Sequence, residues 1–157
     1  MKYPTVPRSF WICYDIAEEL YSRGDMKMNR REAREKAIQT LFQLDNIELP
    51  VDEAIAYIVE DKLDGFYEKL VRGTIEHKEE IDKALIENLE HWSLDRLHKI
   101  ERTVLRLAVY ELLYNKDVPE RVVMNEAIEL CKTFGDEKSG RFVNGVLSKF
   151  GTKPPLQ

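Results

Sequence analysis

The chain has 157 residues, with 24 Lys and Arg against 29 Asp and Glu for a net charge of −5, and it is 43% apolar and 34% charged. That length makes one typical domain with a real core, and it is too short for a binding module joined to a separate catalytic domain of ordinary size. Seven Gly and six Pro are too few for a turn-rich β sandwich or a disordered linker protein, no run of 18 apolar residues is present to cross a membrane, and Cys13 and Cys131 make neither a disulfide framework nor a metal cluster and fit a reducing cytosol.

Residues 1–28 stand apart as an N-terminal extension. Phe10, Trp11, Tyr14, Ala17, Leu20 and Tyr21 would line one face of a short helix, while Asp15, Glu18 and Glu19 interrupt any secretory leader. Met26 and Met28 follow Arg23-Gly24-Asp25, so the extension reads either as an over-extended start or as a genuine extra helix. From Asn29 the pattern is helical. Asn29 with Glu32 three residues on resembles a capping box, and Ala33, Ala37, Ile38, Leu41, Phe42 and Leu44 recur at helical spacing. Pro50 restarts the chain ahead of a short helix carrying Ala54, Ile55, Ile58 and Val59. Leu63, Phe66, Tyr67, Leu70 and Val71 predict a third helix, which Gly73 weakens. Ile81, Leu85, Ile86 and Leu89 predict a fourth, ending near His91-Trp92.

Ser93 is placed to cap a fifth helix, with Asp95 in its first turn. Leu94, Leu97, Ile100, Val104, Leu105, Leu107, Ala108, Leu112 and Leu113 give that helix an apolar arc too wide for one face, so it should lie centrally. After the turn Asn115-Lys116-Asp117, Pro119 suits the start of a sixth helix with Val122, Val123, Ala127, Ile128, Leu130 and Cys131. Gly135 suits its end, and Asp136 can cap a seventh carrying Phe142, Val143, Val146, Leu147 and Phe150. The tail 151–157 should fray. No stretch alternates over several residues, so the expectation is an all-α bundle of seven helices with short connections.

Catalytic chemistry is not evident. His77, His91 and His98 lack metal-ligand spacing. Both cysteines sit in apolar settings and read as inert. Gly135 through Arg141 looks like a phosphate loop at a glance, but it carries two acids, lacks the Lys-Ser/Thr ending and follows a helix. No nucleophile–base set, catalytic residue, metal site or cofactor site is assigned, and binding is the better class.

The charge distribution points the same way. Residues 45–90 hold five basic against 14 acidic groups, a net −9, whereas residues 29–44 and 91–157 each carry +2. If those two flanking regions meet, a basic patch exists despite the low overall charge. Arg30 and Arg34, four apart, share one side of the first helix, and Arg31 flanks them. Guanidinium groups fork onto phosphates and stack on bases. Near the other end, Lys132 with Phe134, and Lys138 with Arg141, Phe142 and Asn144, combine cations, rings and an amide. That mixture suits single-stranded RNA. Phe134 and Phe142 also fit core positions, and the helical spacing of Phe142 with Val146 favours the core.

Several runs resemble one known family. Ala33-Arg34-Glu35-Lys36-Ala37-Ile38-Gln39-Thr40-Leu41-Phe42 looks like the first helix of the transcription antitermination factor NusB family, and Ile100 through Leu112 looks like its central helix. Val118-Pro119, Asn125-Glu126-Ala127-Ile128-Glu129-Leu130, Lys132-Thr133-Phe134-Gly135 and Arg141-Phe142-Val143-Asn144-Gly145-Val146-Leu147 follow in the same order. The resemblance covers about residues 29–150 and leaves residues 1–28 without a counterpart. It implies a NusB-like fold of two packed helical bundles, binding of boxA RNA together with the ribosomal protein NusE, and entry into an RNA polymerase antitermination complex on ribosomal RNA operons. Carried across, it implies RNA contacts for Arg30, Arg31, Arg34, Lys132, Phe134, Lys138, Arg141 and Phe142, and a NusE-facing role for Glu101, with no cofactor. Glu32 dilutes the arginine-rich start, and Lys138 replaces an Asp of some relatives. Monomer and homodimer both stay open. The alternatives are the NusB-like domain that precedes ribosomal RNA cytosine methyltransferases, disfavoured by the length and the lack of a Gly-rich methyl-donor loop, and a helical interaction protein without RNA.

Overall fold

The computed structural model describes residues 28–59 and 64–151. The expectations for residues 1–27, for Cys13, for Leu63 and for the tail beyond Gly151 lie outside the described residues. Among those described are seven α-helices, one 3-10 turn and no strand: α1 Arg30–Asn46, α2 Val51–Ile58, α3 Gly65–Glu76, α4 Lys78–Asn88, the 3-10 turn Leu94–Arg96, α5 Lys99–Tyr114, α6 Glu120–Phe134 and α7 Glu137–Gly151. The all-α expectation holds, and the chain divides into two compact units, 1–72 and 73–157.

In the first unit, Asn29 caps α1 as its spacing predicts. Its backbone is extended, and its Oδ1 accepts the Glu32 N–H at 2.9 Å. Ala33, Ala37, Ile38, Leu41 and Phe42 of α1 are buried together with Ala54, Ile55 and Ile58 of α2 and Tyr67, Leu70 and Val71 of α3. Each large apolar side chain so buried stabilises the fold by roughly 1.5–3 kcal/mol before entropy is counted. A buried polar contact ties α1 to α3. The Thr40 hydroxyl donates to the Lys36 carbonyl at 2.9 Å. Having only one proton, it then accepts from the Tyr67 hydroxyl at 2.6 Å. Burial pushes the Tyr67 phenol up to about 12, partly opposed by its Thr40 partner and by Arg72. On the surface, Arg72 forks between Glu68, at 3.0 Å, and Asp52 of α2.

In the second unit α5 is the central element. Its buried residues run almost all the way round, from Thr103, Val104 and Leu105 through Leu107, Ala108, Val109 and Tyr110 to Leu112, as the wide apolar arc predicts. Ile81 and Leu85 of α4, Val123, Ala127 and Leu130 of α6, and Val143, Val146 and Leu147 of α7 complete the core. A half-buried, bidentate ion pair joins α5 to α4: Arg106 Nε donates to Asp82 Oδ1 at 2.7 Å, and the second guanidinium arm to Oδ2 at 3.0 Å.

One boundary differs from expectation. Ser93 makes no side-chain cap bond, and Leu94–Arg96 forms a single 3-10 turn, so α5 begins only at Lys99, behind His98. The tighter turn eclipses residues three apart. Leu94 and Leu97 both reach the core from this turn.

Gly73 lies inside α3, in its last turn. A Cβ there would overlap the Tyr110 ring, which α5 lays directly against the glycine. The ring is 4% exposed and lies in a loose stack with His77 and Tyr114, the His77 and Tyr114 rings being 4.0 Å apart and 12° from parallel. Burial first, and then Glu111 and Glu76, hold the Tyr110 phenol above its usual range.

Two outcomes follow for stability. Gly73→Ala lowers the unfolding free energy by about 1–3 kcal/mol in urea denaturation, although Ala is the better helix former. The loss shrinks when Tyr110→Ala is already present. Asp82→Ala costs about 1.5–3 kcal/mol by the same measurement, because it removes the carboxylate that two arms of the half-buried Arg106 guanidinium engage.

Candidate nucleic-acid interface

In the first unit the arginines of α1 divide by exposure. Arg30 and Arg31 are exposed, whereas Arg34 is 3% exposed and Lys36 is buried. Their i, i+4 spacing turns Arg30 and Arg34 toward the same neighbour, the ring of Phe66. The Arg30 Cζ lies 4.1 Å from its centroid and the Arg34 Cζ 5.2 Å. Beside this contact is an open hollow of about 480 Å³ lined by Met28, Asn29, Arg30, Asp64 and Phe66. Asp64 starts α3 by accepting the Tyr67 N–H at 3.0 Å. Sequence reasoning counted Phe66 with the core residues of α3. Adjacent apolar residues such as Leu70 and Val71 are both buried here, so the pair Phe66-Tyr67 carried no signal in itself; packing takes Tyr67 into the interior and leaves Phe66 half-buried.

In the second unit the remaining residues sit on the α6–α7 hairpin. Lys132, Lys138 and Arg141 are exposed, and Lys132 approaches Glu129 at 3.5 Å. The hairpin is tight: a Cβ on Gly140 of α7 would stand 3.2 Å from Lys132 Cγ of α6. This draws Lys132 toward the start of α7, the helix that carries Lys138 and Arg141. Phe134 is 3% exposed and belongs to the core. Phe142 is half-buried, and Trp92, 59% exposed, meets its ring edge-on at 5.8 Å and 77°. Trp92 was read only as the end of a helix; a bulky aromatic beside Ser93 in a polar connection was the available signal.

The look-alike phosphate loop is occupied by its own acid. Asp136 Oδ1 accepts the Ser139 N–H at 2.8 Å and caps α7. That backbone bond, followed by the Ser139 hydroxyl and the charges of Lys138 and His98, holds the Asp136 carboxyl below the usual carboxylate range. A carboxylate already seated on the helix start opposes a phosphate there. Glu101 lies in the first turn of α5, where an acid is favoured, and is 8% exposed. Among the described residues, no group of three or more His, Cys, Asp and Glu is placed to hold a metal ion, and no helix is long and apolar enough to cross a membrane.

A family model described as the NusB family matches residues 31–152. The chain belongs to the NusB family. Transcription antitermination protein NusB of Lysinibacillus sphaericus (strain C3-41) is 68% identical over 123 residues, covering 78% of this chain and 97% of that protein. The protein of the same name from Bacillus subtilis (strain 168) is 52% identical over 122 residues, covering 77% and 93%. Among solved structures, T. maritima NusB is similar with a TM-score of 0.75 and 36% identity, covering 83% of this chain and 96% of that one. A structure of the antitermination factors NusB and NusE in complex with dsRNA is similar with a TM-score of 0.70 and 38% identity, covering 77% and 94%. For this member of the family, then, the all-helical fold is matched along nearly the whole length of the solved relatives.

Cys131, on α6, is fully buried. Burial first, then the charges of Glu101 and Asp136, pushes its thiol up to about 12. At pH 8 the thiolate is then on the order of one part in ten thousand. Cys131 should therefore resist a thiol-specific disulfide reagent in the native protein and react fully once urea unfolds the chain. A tryptic map of the labelled protein checks this.

Proposed function

We propose that this chain is a transcription antitermination factor. It binds boxA-type single-stranded RNA together with the ribosomal protein NusE, and it joins the RNA polymerase antitermination complex that sustains transcription of ribosomal RNA operons. The observation that carries the reading is its likeness, along almost the entire length of the neighbour, to a structure of NusB and NusE with RNA. The exposed arginines opening α1 and the exposed cations of the α6–α7 hairpin support it. The chain works by binding and not by catalysis, in the cytoplasm where transcription and ribosome assembly share components.

Arg30, Arg31, Lys132, Lys138 and Arg141 contact phosphates, since their charges are open to solvent. Phe142 offers part of its ring to a base. Arg34 and Phe134, almost wholly buried, serve the site from within: Arg34 beside the Phe66 ring, Phe134 in the core that backs the hairpin. Glu101, only 8% exposed, contributes negative charge from just beneath the surface that receives NusE, a polarity suited to a basic partner.

Titration of boxA RNA with and without NusE tests the reading. Tight binding with NusE and weaker binding alone is the expected result, and no binding in either arm overturns it. Arg31→Ala or Lys138→Ala weakens RNA binding by about 1–2 kcal/mol and lowers the salt slope by about 1; an unchanged slope removes that residue from the phosphate contacts. Glu101→Gln weakens NusE pairing by roughly 1 kcal/mol or more, with the melting temperature as the control for folding. Unaltered pairing moves the partner surface elsewhere.

A further inference from the structure

We infer that Phe66 is a positioning residue for RNA binding, a ring whose function is to hold Arg30 in its phosphate-facing arrangement before RNA arrives. This rests on the RNA-binding reading above and adds to it a residue outside the basic clusters.

An exposed Arg at the first position of a helix has a long, flexible side chain, and ordering it on binding opposes affinity. Here the Arg30 guanidinium already lies 4.1 Å from the centroid of the Phe66 ring, within the range where the negative face of an aromatic ring attracts a cation. Arg34, one turn further along α1, lies 5.2 Å from the same centroid. One ring thus lies against two cations of one helix.

The ring is itself fixed. Phe66 occupies the first turn of α3, which Asp64 caps through the Tyr67 N–H. The next residue, Tyr67, is fully buried and hydrogen-bonded to Thr40 of α1. The position of the Phe66 ring relative to Arg30 is therefore set by the core of the unit, not by surface chance. The ring also borders the open hollow beside Arg30, so the guanidinium is held at the rim of a space large enough to admit part of a nucleotide.

A ring that merely fills a core edge and a ring that orients a cation predict different things. Leucine keeps the apolar bulk and removes the aromatic face; tyrosine keeps the face. The test uses the full chain as wild type, Phe66→Leu, Phe66→Tyr, Arg30→Ala and the double variant Phe66→Leu/Arg30→Ala. Affinity for boxA RNA is measured with NusE present at several salt concentrations, alongside thermal melting. The expected result is that Phe66→Leu weakens binding about two- to fivefold, that Phe66→Tyr stays near wild type, and that Phe66→Leu adds nothing in the Arg30→Ala background. A second readout needs no RNA: the Arg30 side-chain Nε–H resonance is displaced by the aromatic ring in the wild type and returns to its ordinary position in Phe66→Leu, or in Phe66→Met should the leucine variant not fold. Equal losses from Phe66→Leu with and without Arg30 overturn the inference while leaving the RNA reading intact, as does an undisplaced Arg30 resonance. If Arg30→Ala itself leaves RNA affinity unchanged, the assignment of this cluster to RNA falls, and the inference with it.

Discussion

Submerging a charged, sixteen-residue helix on several sides is the constraint from which the second unit is built. Ten residues of α5 are buried, Glu101 and Glu111 among them, so neighbours must cover it from several directions. α4 supplies Ile81 and Leu85, the α6–α7 hairpin supplies two further apolar faces, and Leu94 and Leu97 enter from a 3-10 turn. Arg106 of α5 finds its carboxylate on α4. A buried charge without such a partner would be strongly destabilising. The ion pair thus fixes which face of α4 can meet α5.

The first unit solves a smaller problem by different means. Three helices enclose one modest core, and α1 buries alanines at 33 and 37, small residues that permit close approach. A hydroxyl relay, Tyr67 to Thr40 to the Lys36 carbonyl, then stands where larger apolar residues would otherwise be needed. The same anchoring places Phe66 at the surface beside the arginines. Core and candidate site are consecutive residues of one helix turn.

Helical periodicity made the architecture readable, because seven segments each carried apolar residues at three- and four-residue spacing and were separated by Pro, Asn-Asp or Gly signals. Where that reading slipped, the cause was tertiary. Ser93 had the chemistry of a cap, but Leu94 and Leu97 are drawn inward together and tighten the turn instead. Gly73 looked like a weak spot, yet its missing side chain is what admits Tyr110. Of the site, the basic residues were visible as charge, but exposure was not. Arg34 has the same side chain as Arg30 and lies one turn away, and only packing determines that one is covered and the other open. Phe66 was passed over for a related reason. An aromatic residue in a helical pattern is by default assigned to the core, and nothing local marks the one whose ring is needed outside it.

The contact between Gly73 and Tyr110 also constrains how this sequence can change over time. A side chain at 73 is costly while the ring at 110 stays, whereas trimming the ring leaves no clash at a bare 73. The order in which the pair changes therefore decides what each step costs. A lineage that fills position 73 after losing the ring meets the same clash when it regains the aromatic.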